Sequence, residues 1–163
     1  MKRLLLKYLI IIFFLPNALN AEQKVFWKDI SFNLSDDLIP LLEVLKQKGF
    51  NVKFEIPPRK NVYGLFQSKS KTLWISPITF YQGIERQTIL HEATHAAQSC
   101  PNGLLTPIDL KLTISPFLKK EIQRILLKNY DSNHYLIEKE AYYLQTQKDS
   151  INILLKALNE RCN

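Results

Sequence analysis

The chain has 163 residues, the usual size of one globular domain with a single core. Apolar residues make up 46% and charged residues 23%, with no low-complexity tract or internal repeat, which excludes a disordered or solenoid protein. The 22 basic and 15 acidic residues give a net charge of +7, but Lys and Arg are scattered among acids with no aromatic-interleaved run, so no nucleic-acid partner is indicated.

The first residues read as an export signal. Lys2, Arg3 and Lys7 form a positive start, Tyr8 to Leu15 is an unbroken apolar run, and Pro16 and Asn17 end it before Ala18 and Ala21. Even Leu4 to Leu15 falls short of the roughly 20 residues that span a bilayer, so residues 1–21 are expected to be a cleaved signal peptide and not a lasting membrane anchor. Cleavage after Ala21, with Ala18 as the alternative, leaves one mature domain, residues 22–163, with 19 basic and 15 acidic residues and a net charge of +4. The expected compartment is secreted or periplasmic. There Cys100 and Cys162, the two cysteines, should form one disulfide. Neither has the Cys/His spacing of a metal ligand.

Val25 to Asn33 is a first strand or an extended lead-in. Ser35 is placed as an N-cap with Asp36 and Asp37 in the first turn, and Leu38, Leu41, Leu42 and Leu45 follow at helical spacing until Lys48 and Gly49. Three β-branched and aromatic runs come next, Val52 to Ile56, Val62 to Gln67 and Lys71 to Ser76, broken by Pro57-Pro58-Arg59-Lys60 and Ser68-Lys69-Ser70. They read as a small antiparallel sheet, which Ser76-Pro77 ends. Helical periodicity runs from Ile84 to Gln98, closed by Pro101 and Gly103. Ser115-Pro116 starts a helix to about Lys128, Ser132 or Asn133 starts another to about Lys148, and a last one covers about Ser150 to Glu160. The fold class is α+β, with a central helix between a small sheet and several C-terminal helices.

The central helix carries His91-Glu92-Ala93-Thr94-His95, an HExxH pattern that takes two of the three histidines in the chain. Residues four apart lie on one helix face about one turn apart, so both imidazoles can point to one metal ion. Glu92 sits about 100° round the helix, within reach of a water held there, and is the natural general base. An open catalytic zinc site needs a third protein ligand. His134, Glu138 and Glu140 cluster on a later helix. Glu138 shares one face with Ala141, Tyr142 and Gln145, whereas Glu140 is turned about 200° from Glu138. Small Ala141 lets two helices approach closely, which favours Glu138 as the ligand, with Glu140 as the alternative. Gln98 continues the face of His91 and His95, and Gln145 that of Glu138. Both are placed either to hydrogen-bond across the helix pair or to rim the site, and neither is given a catalytic role.

HEATHAAQ followed by EKEAYYLQ resembles the gluzincin group of zinc metallopeptidases, and in size its small, minigluzincin-like members. That resemblance spans roughly Gln82 to Gln147. It implies a zincin-like fold, Zn2+ held by His91, His95 and a downstream glutamate three residues before an alanine, here Glu138 before Ala141, and a peptide or protein substrate. Many members carry Asp or Asn four residues after that glutamate to orient a histidine, and here the position is Tyr142. His134, one turn before Glu138 on the same face, is a candidate donor to the substrate oxyanion, and Tyr142, also on the Glu138 face, is the first choice among the tyrosines. Tyr130, Tyr135 and Tyr143 are further options. Zincins usually lay an extended substrate along a strand above the motif helix. Lys71 to Ser76 is the strand expected to serve, with Trp74 or Leu73 forming a subsite. The expected activity is Glu92-assisted, zinc-dependent peptide hydrolysis outside the cytoplasm. The alternative is a catalytically inactive zincin-like exported protein that binds a partner. Oligomeric state is not specified by any of these patterns.

Overall fold

A computed structural model describes residues 34–129 and 134–162. The signal peptide, the Val25 to Asn33 segment, Tyr130 and the Ser132 or Asn133 helix start lie outside the described residues. An Asp36–Leu38 3-10 turn leads into helix α1 (Ile39–Gln47), followed by strands β1 (Asn51–Lys53), β2 (Gly64–Gln67) and β3 (Thr72–Ile75). Helices α2 (Ile78–Gln82), α3 (Glu85–Gln98), α4 (Pro116–Asn129), α5 (Tyr135–Leu144) and α6 (Ser150–Arg161) complete the order. The fold is α+β. Among the described residues no helix is long and apolar enough to cross a membrane.

The sheet departs from the expected antiparallel arrangement. Its order is β1-β3-β2, with β3 antiparallel to β2 and parallel to β1. The segment between β1 and β2, with Pro57-Pro58 in it, is too long for a tight hairpin and carries the chain across to the far edge. The short Ser68–Ser70 3-10 turn, closed by Lys71 in the left-handed region at φ 47°, then returns β3 into the middle. The expectation that Lys71 to Ser76 would serve as a free edge is therefore wrong: β3 is paired on both sides. Among the described residues the edges are β1 and β2.

Two helix boundaries and one additional helix also differ from expectation. Ser35 makes no side-chain cap to the backbone. Its hydroxyl donates to Asp37, and α1 proper begins after the 3-10 turn, with a proline in its first turn. Helix α2 has no counterpart in the expected order, though Pro77 precedes it and Gly83, at φ 64°, ends it. Helix α5 stops at Leu144, short of Lys148, because the Thr146 and Gln147 amides turn back onto Tyr143 and Leu144 carbonyls. Ser115 does cap α4, accepting from the Leu118 amide at 3.3 Å.

The core gathers Leu38, Leu41 and Leu45, then Leu73 and Ile75 of β3, Ile89 and Leu90 of α3, and Leu154 and Leu158 of α6. Each such side chain contributes about 1.5–3 kcal/mol by leaving water. Ala93, Ala96 and Ala97 are fully buried, and these small residues let α5 and α6 pack closely on α3. A second cluster of Ile122, Leu126 and Tyr142 joins α4 to α5. Helix α3 is thus enclosed by β2, β3, α5 and α6.

Candidate metal centre

A helix reading ERQTILHEATHAAQ is polar for a core element, and its two threonine hydroxyls are satisfied within the helix. The Thr88 and Thr94 hydroxyls donate to the Ile84 and Leu90 carbonyls, one turn back, at 2.9 and 2.7 Å. That leaves His91, Glu92 and His95 to meet α5 and β2. The structure brings His91, His95 and Glu138 together, so that one ligand atom from each lies within 4.8 Å of the others. Among the described residues no other group of three His, Cys, Asp or Glu does this.

The geometry fits a cation. His91 Nε2 and His95 Nε2 stand 3.2 Å apart, and Glu138 offers Oε2 at 3.2 Å from the first and Oε1 at 3.6 Å from the second. Two ligands about 2.05 Å from a tetrahedral zinc ion are about 3.3 Å apart, so these separations are those of a coordination shell. Both ring orientations are fixed from behind. His91 Nδ1 faces Gln145 Oε1 at 2.9 Å, and His95 Nδ1 faces Gln98 Oε1 at 2.7 Å. An amide oxygen only accepts, so each Nδ1 carries the proton and each Nε2 directs a lone pair into the shared space. Glu138 Oε2, buried and aimed there, receives no hydrogen bond. Two ring nitrogens and a carboxylate that converge on one point favour a positive charge there, as a metal ion or as a proton on an imidazole.

The electrostatics show the same demand for positive charge, met in the free protein by a proton on an imidazole. Burial pushes the Glu138 carboxyl up, but His91 and His95 outweigh it and hold it well below the usual carboxylate range. Burial alone pushes the His95 imidazole down. The neighbouring Glu138, with smaller help from Glu92 and Gln98, reverses this and raises it to about 9. Glu92 is 6% exposed, and its carboxyl is pushed up by burial, an effect that His91, His95 and a hydrogen bond from the Phe66 amide moderate.

Glu140, the alternative ligand, faces elsewhere. Its carboxylate accepts from the Gln98 side chain at 2.9 Å and from the Ile108 and Leu110 amides at 2.8 and 3.1 Å. Gln98, fully buried, gives its other amide hydrogen to the Ile137 carbonyl at 3.0 Å. With both hydrogens committed to acceptors, its oxygen must point to His95. Tyr142 is buried with its ring edge-on to His91, centroids 4.8 Å apart. His134 is exposed at the N-cap of α5, its carbonyl accepting the Glu138 amide at 3.0 Å.

Beyond α3 the chain is tied down. Cys100 and Cys162 form a disulfide across 62 residues, a loop whose closure stabilises by about 4 kcal/mol in the chain-entropy estimate. Beside it Arg161 donates to the Ala97 and Cys100 carbonyls at 3.1 and 3.3 Å, and to the Pro107 carbonyl and Thr106 hydroxyl at 3.3 and 2.7 Å. Sequence reasoning missed the roles of Glu140 and Arg161, whereas the hydrogen bonds across the helix pair that it left open for Gln98 and Gln145 are present. Only the two glutamines gave a signal, by continuing the ligand faces.

No curated protein and no solved structure is matched by the chain. A family described as Domain of unknown function (DUF8637) is matched by residues 78–159, from α2 through nearly all of α6, and so includes every residue of the His91, His95 and Glu138 group. Because that match takes in half of the sequence and the whole centre, the chain belongs to the family of Domain of unknown function (DUF8637).

Proposed function

We propose that this protein is an exported zinc metallopeptidase that hydrolyses peptide bonds of a peptide or protein outside the cytoplasm. The observation that carries this is the convergence of His91 Nε2, His95 Nε2 and the Glu138 carboxylate, with Glu92 beside them on the same helix. Two nitrogens and one carboxylate leave a fourth position open, the pattern of catalytic zinc sites as opposed to closed structural ones. When bound, zinc supplies a Lewis acid that polarises the scissile carbonyl and acidifies a water molecule.

The chain's own residues do the rest. Gln98 and Gln145 hold both imidazoles in the Nδ1–H form, and Glu138 contributes the negative charge that keeps a cation in place. Glu92 accepts the proton of the attacking water and returns it to the leaving amine. Its burial keeps competing solvent away from that carboxylate. Tyr142 stands against His91 and is the first candidate to donate to the substrate oxyanion, with His134 the second.

An extended substrate has β2, and not β3, as its docking edge. The Ser76 amide donates to the Tyr63 carbonyl, so by antiparallel alternation Leu65 and Gln67 also pair with β3, while the Gly64 backbone groups and the Phe66 carbonyl turn outward, the Phe66 amide being engaged by Glu92. Export accords with the disulfide and with the positive, apolar start of the chain.

The test is metal analysis and hydrolysis of unfolded proteins by wild type and Glu92→Gln, both purified in zinc. Stoichiometric zinc in both and hydrolysis in wild type alone is expected. Zinc without any turnover would point instead to an inactive zincin-like protein that binds a partner. Wild type without zinc would overturn the metal centre itself.

A further inference from the structure

Gly64 sits at the start of the edge strand, directly over the motif helix. Its backbone does not require glycine, since it is absent from the positive-φ residues of the described chain. Space does. A Cβ at this position would collide with Glu92 Oε1 and lie 2.8 Å from both Glu92 Cγ and Thr88 Cγ2, distances that real side chains essentially never adopt. The strand is therefore pressed onto the Glu92 carboxyl with only a hydrogen atom between them. Nearby, Phe66, on the same face of β2, directs its amide to that carboxyl.

We propose that Gly64 is a positioning residue for Glu92: the absent side chain lets the edge strand clamp the base carboxylate against α3, beside the point where His91, His95 and Glu138 converge. The inference rests on Glu92 being the base of the proposed reaction. The two obstacles to a Cβ would respond differently. Glu92 ends in a flexible side chain that can swing away at little cost to the fold, whereas Thr88 is β-branched, buried and tied by its hydroxyl to the Ile84 carbonyl. A methyl group at position 64 thus displaces the carboxylate if the Thr88 obstacle is removed. The zinc ligands are expected to stay in place, because they come from α3 and α5 and none of them is among the three atoms nearest that methyl group.

The experiment compares wild type, Thr88→Ser, and the double variant Gly64→Ala with Thr88→Ser, all loaded with zinc. Thr88→Ser deletes the methyl group that Gly64→Ala would strike and keeps the hydroxyl bond. The double variant is expected to melt within a few degrees of Thr88→Ser and to bind zinc with the same stoichiometry. Its kcat should fall about 100-fold, the cost of moving a catalytic group by about 1 Å, with KM little changed. Its crystal structure should show the Glu92 carboxylate shifted away from β2. An unmoved carboxylate overturns the proposal, and so does a double variant that loses its zinc or its cooperative melt, since the clash would then have fallen on the fold. If wild type hydrolyses nothing, the peptidase assignment fails alone, and the carboxylate position in that crystal structure still decides whether Gly64 places Glu92.

Discussion

His91 and His95 present the same atom to the same point from adjacent turns of one helix, yet the protein behind them differs. His91 Nδ1 rests on Gln145, the residue that caps α5 just as the chain leaves it. His95 Nδ1 rests on Gln98, which is held by the Ile137 carbonyl and by Glu140, and Glu140 is held in turn by the Ile108 and Leu110 amides. That same segment is then fastened to the end of α3 by Arg161, next to the disulfide. One histidine has a single hydrogen-bond support from a helix terminus, and the other has a chain of supports reaching the C-terminus. By that measure the His95 half of the centre is the more firmly preassembled, and His91 is the half held by fewer hydrogen bonds.

The largest expected effect separates the two glutamates of α5. Glu138→Gln removes the anionic ligand and should abolish stoichiometric zinc. Glu140→Gln should retain zinc but lose about 1–3 kcal/mol of stability in denaturant unfolding, because an amide NH2 then faces at least one of three donors aimed at that carboxylate. Zinc lost from Glu140→Gln and kept in Glu138→Gln, by metal analysis after dialysis, would reverse their roles.

Next come the two supporting amides. Replacing either by leucine frees a histidine to change tautomer, and second-layer partners of metal histidines are commonly worth 10–100-fold in affinity. Gln98→Leu should fall near 100-fold, because it also strips Glu140 and the Ile137 carbonyl of a donor, while Gln145→Leu should fall nearer 10-fold. Competition with a chromophoric zinc chelator measures both. Equal losses would erase the asymmetry, and a larger loss for Gln145→Leu would invert it.

Much of this centre could be read from the sequence because its chemistry is local. His91 and His95 are one turn apart on a single helix, and Glu138, Ala141, Tyr142 and Gln145 share a face of another, so spacing alone suggests which side chains can meet. What escaped is what depends on distant partners. The order β1-β3-β2 is set by where the segment after β1 crosses, and nothing within the Lys71 to Ser76 run marks it as the middle strand. A glycine needed for close approach looks like any turn glycine, so Gly64 carried no signal. Gln98 stood on the ligand face with a bond across the helix pair open to it, but its partner could be named only once Glu140 was seen to hold its far end. The segment from Thr106 to Leu110 has no periodicity, and its order comes from Arg161 on one side and Glu140 on the other.

The smallest effect lies at the far end of that chain, and its size tests how rigid the His95 half is. Arg161 spreads three nitrogens over four acceptors, two at the end of α3 and two on the segment that leads to Glu140. Arg161→Lys keeps the charge but has a single point of donation, which cannot span the Ala97 and Pro107 carbonyls together. About 1 kcal/mol of stability should be lost, the net worth of an ordinary hydrogen bond, since the remaining acceptors can turn to water. Zinc affinity should fall less than 10-fold, because the disturbance reaches His95 only through the 106–110 segment, then Glu140, then Gln98, and each link has another anchor. Calorimetric titration of zinc beside a denaturant unfolding curve reads both numbers. An affinity loss matching that of Gln98→Leu would show that the links move as one body. No loss at all would confine the preassembled half to Glu140, Gln98 and His95.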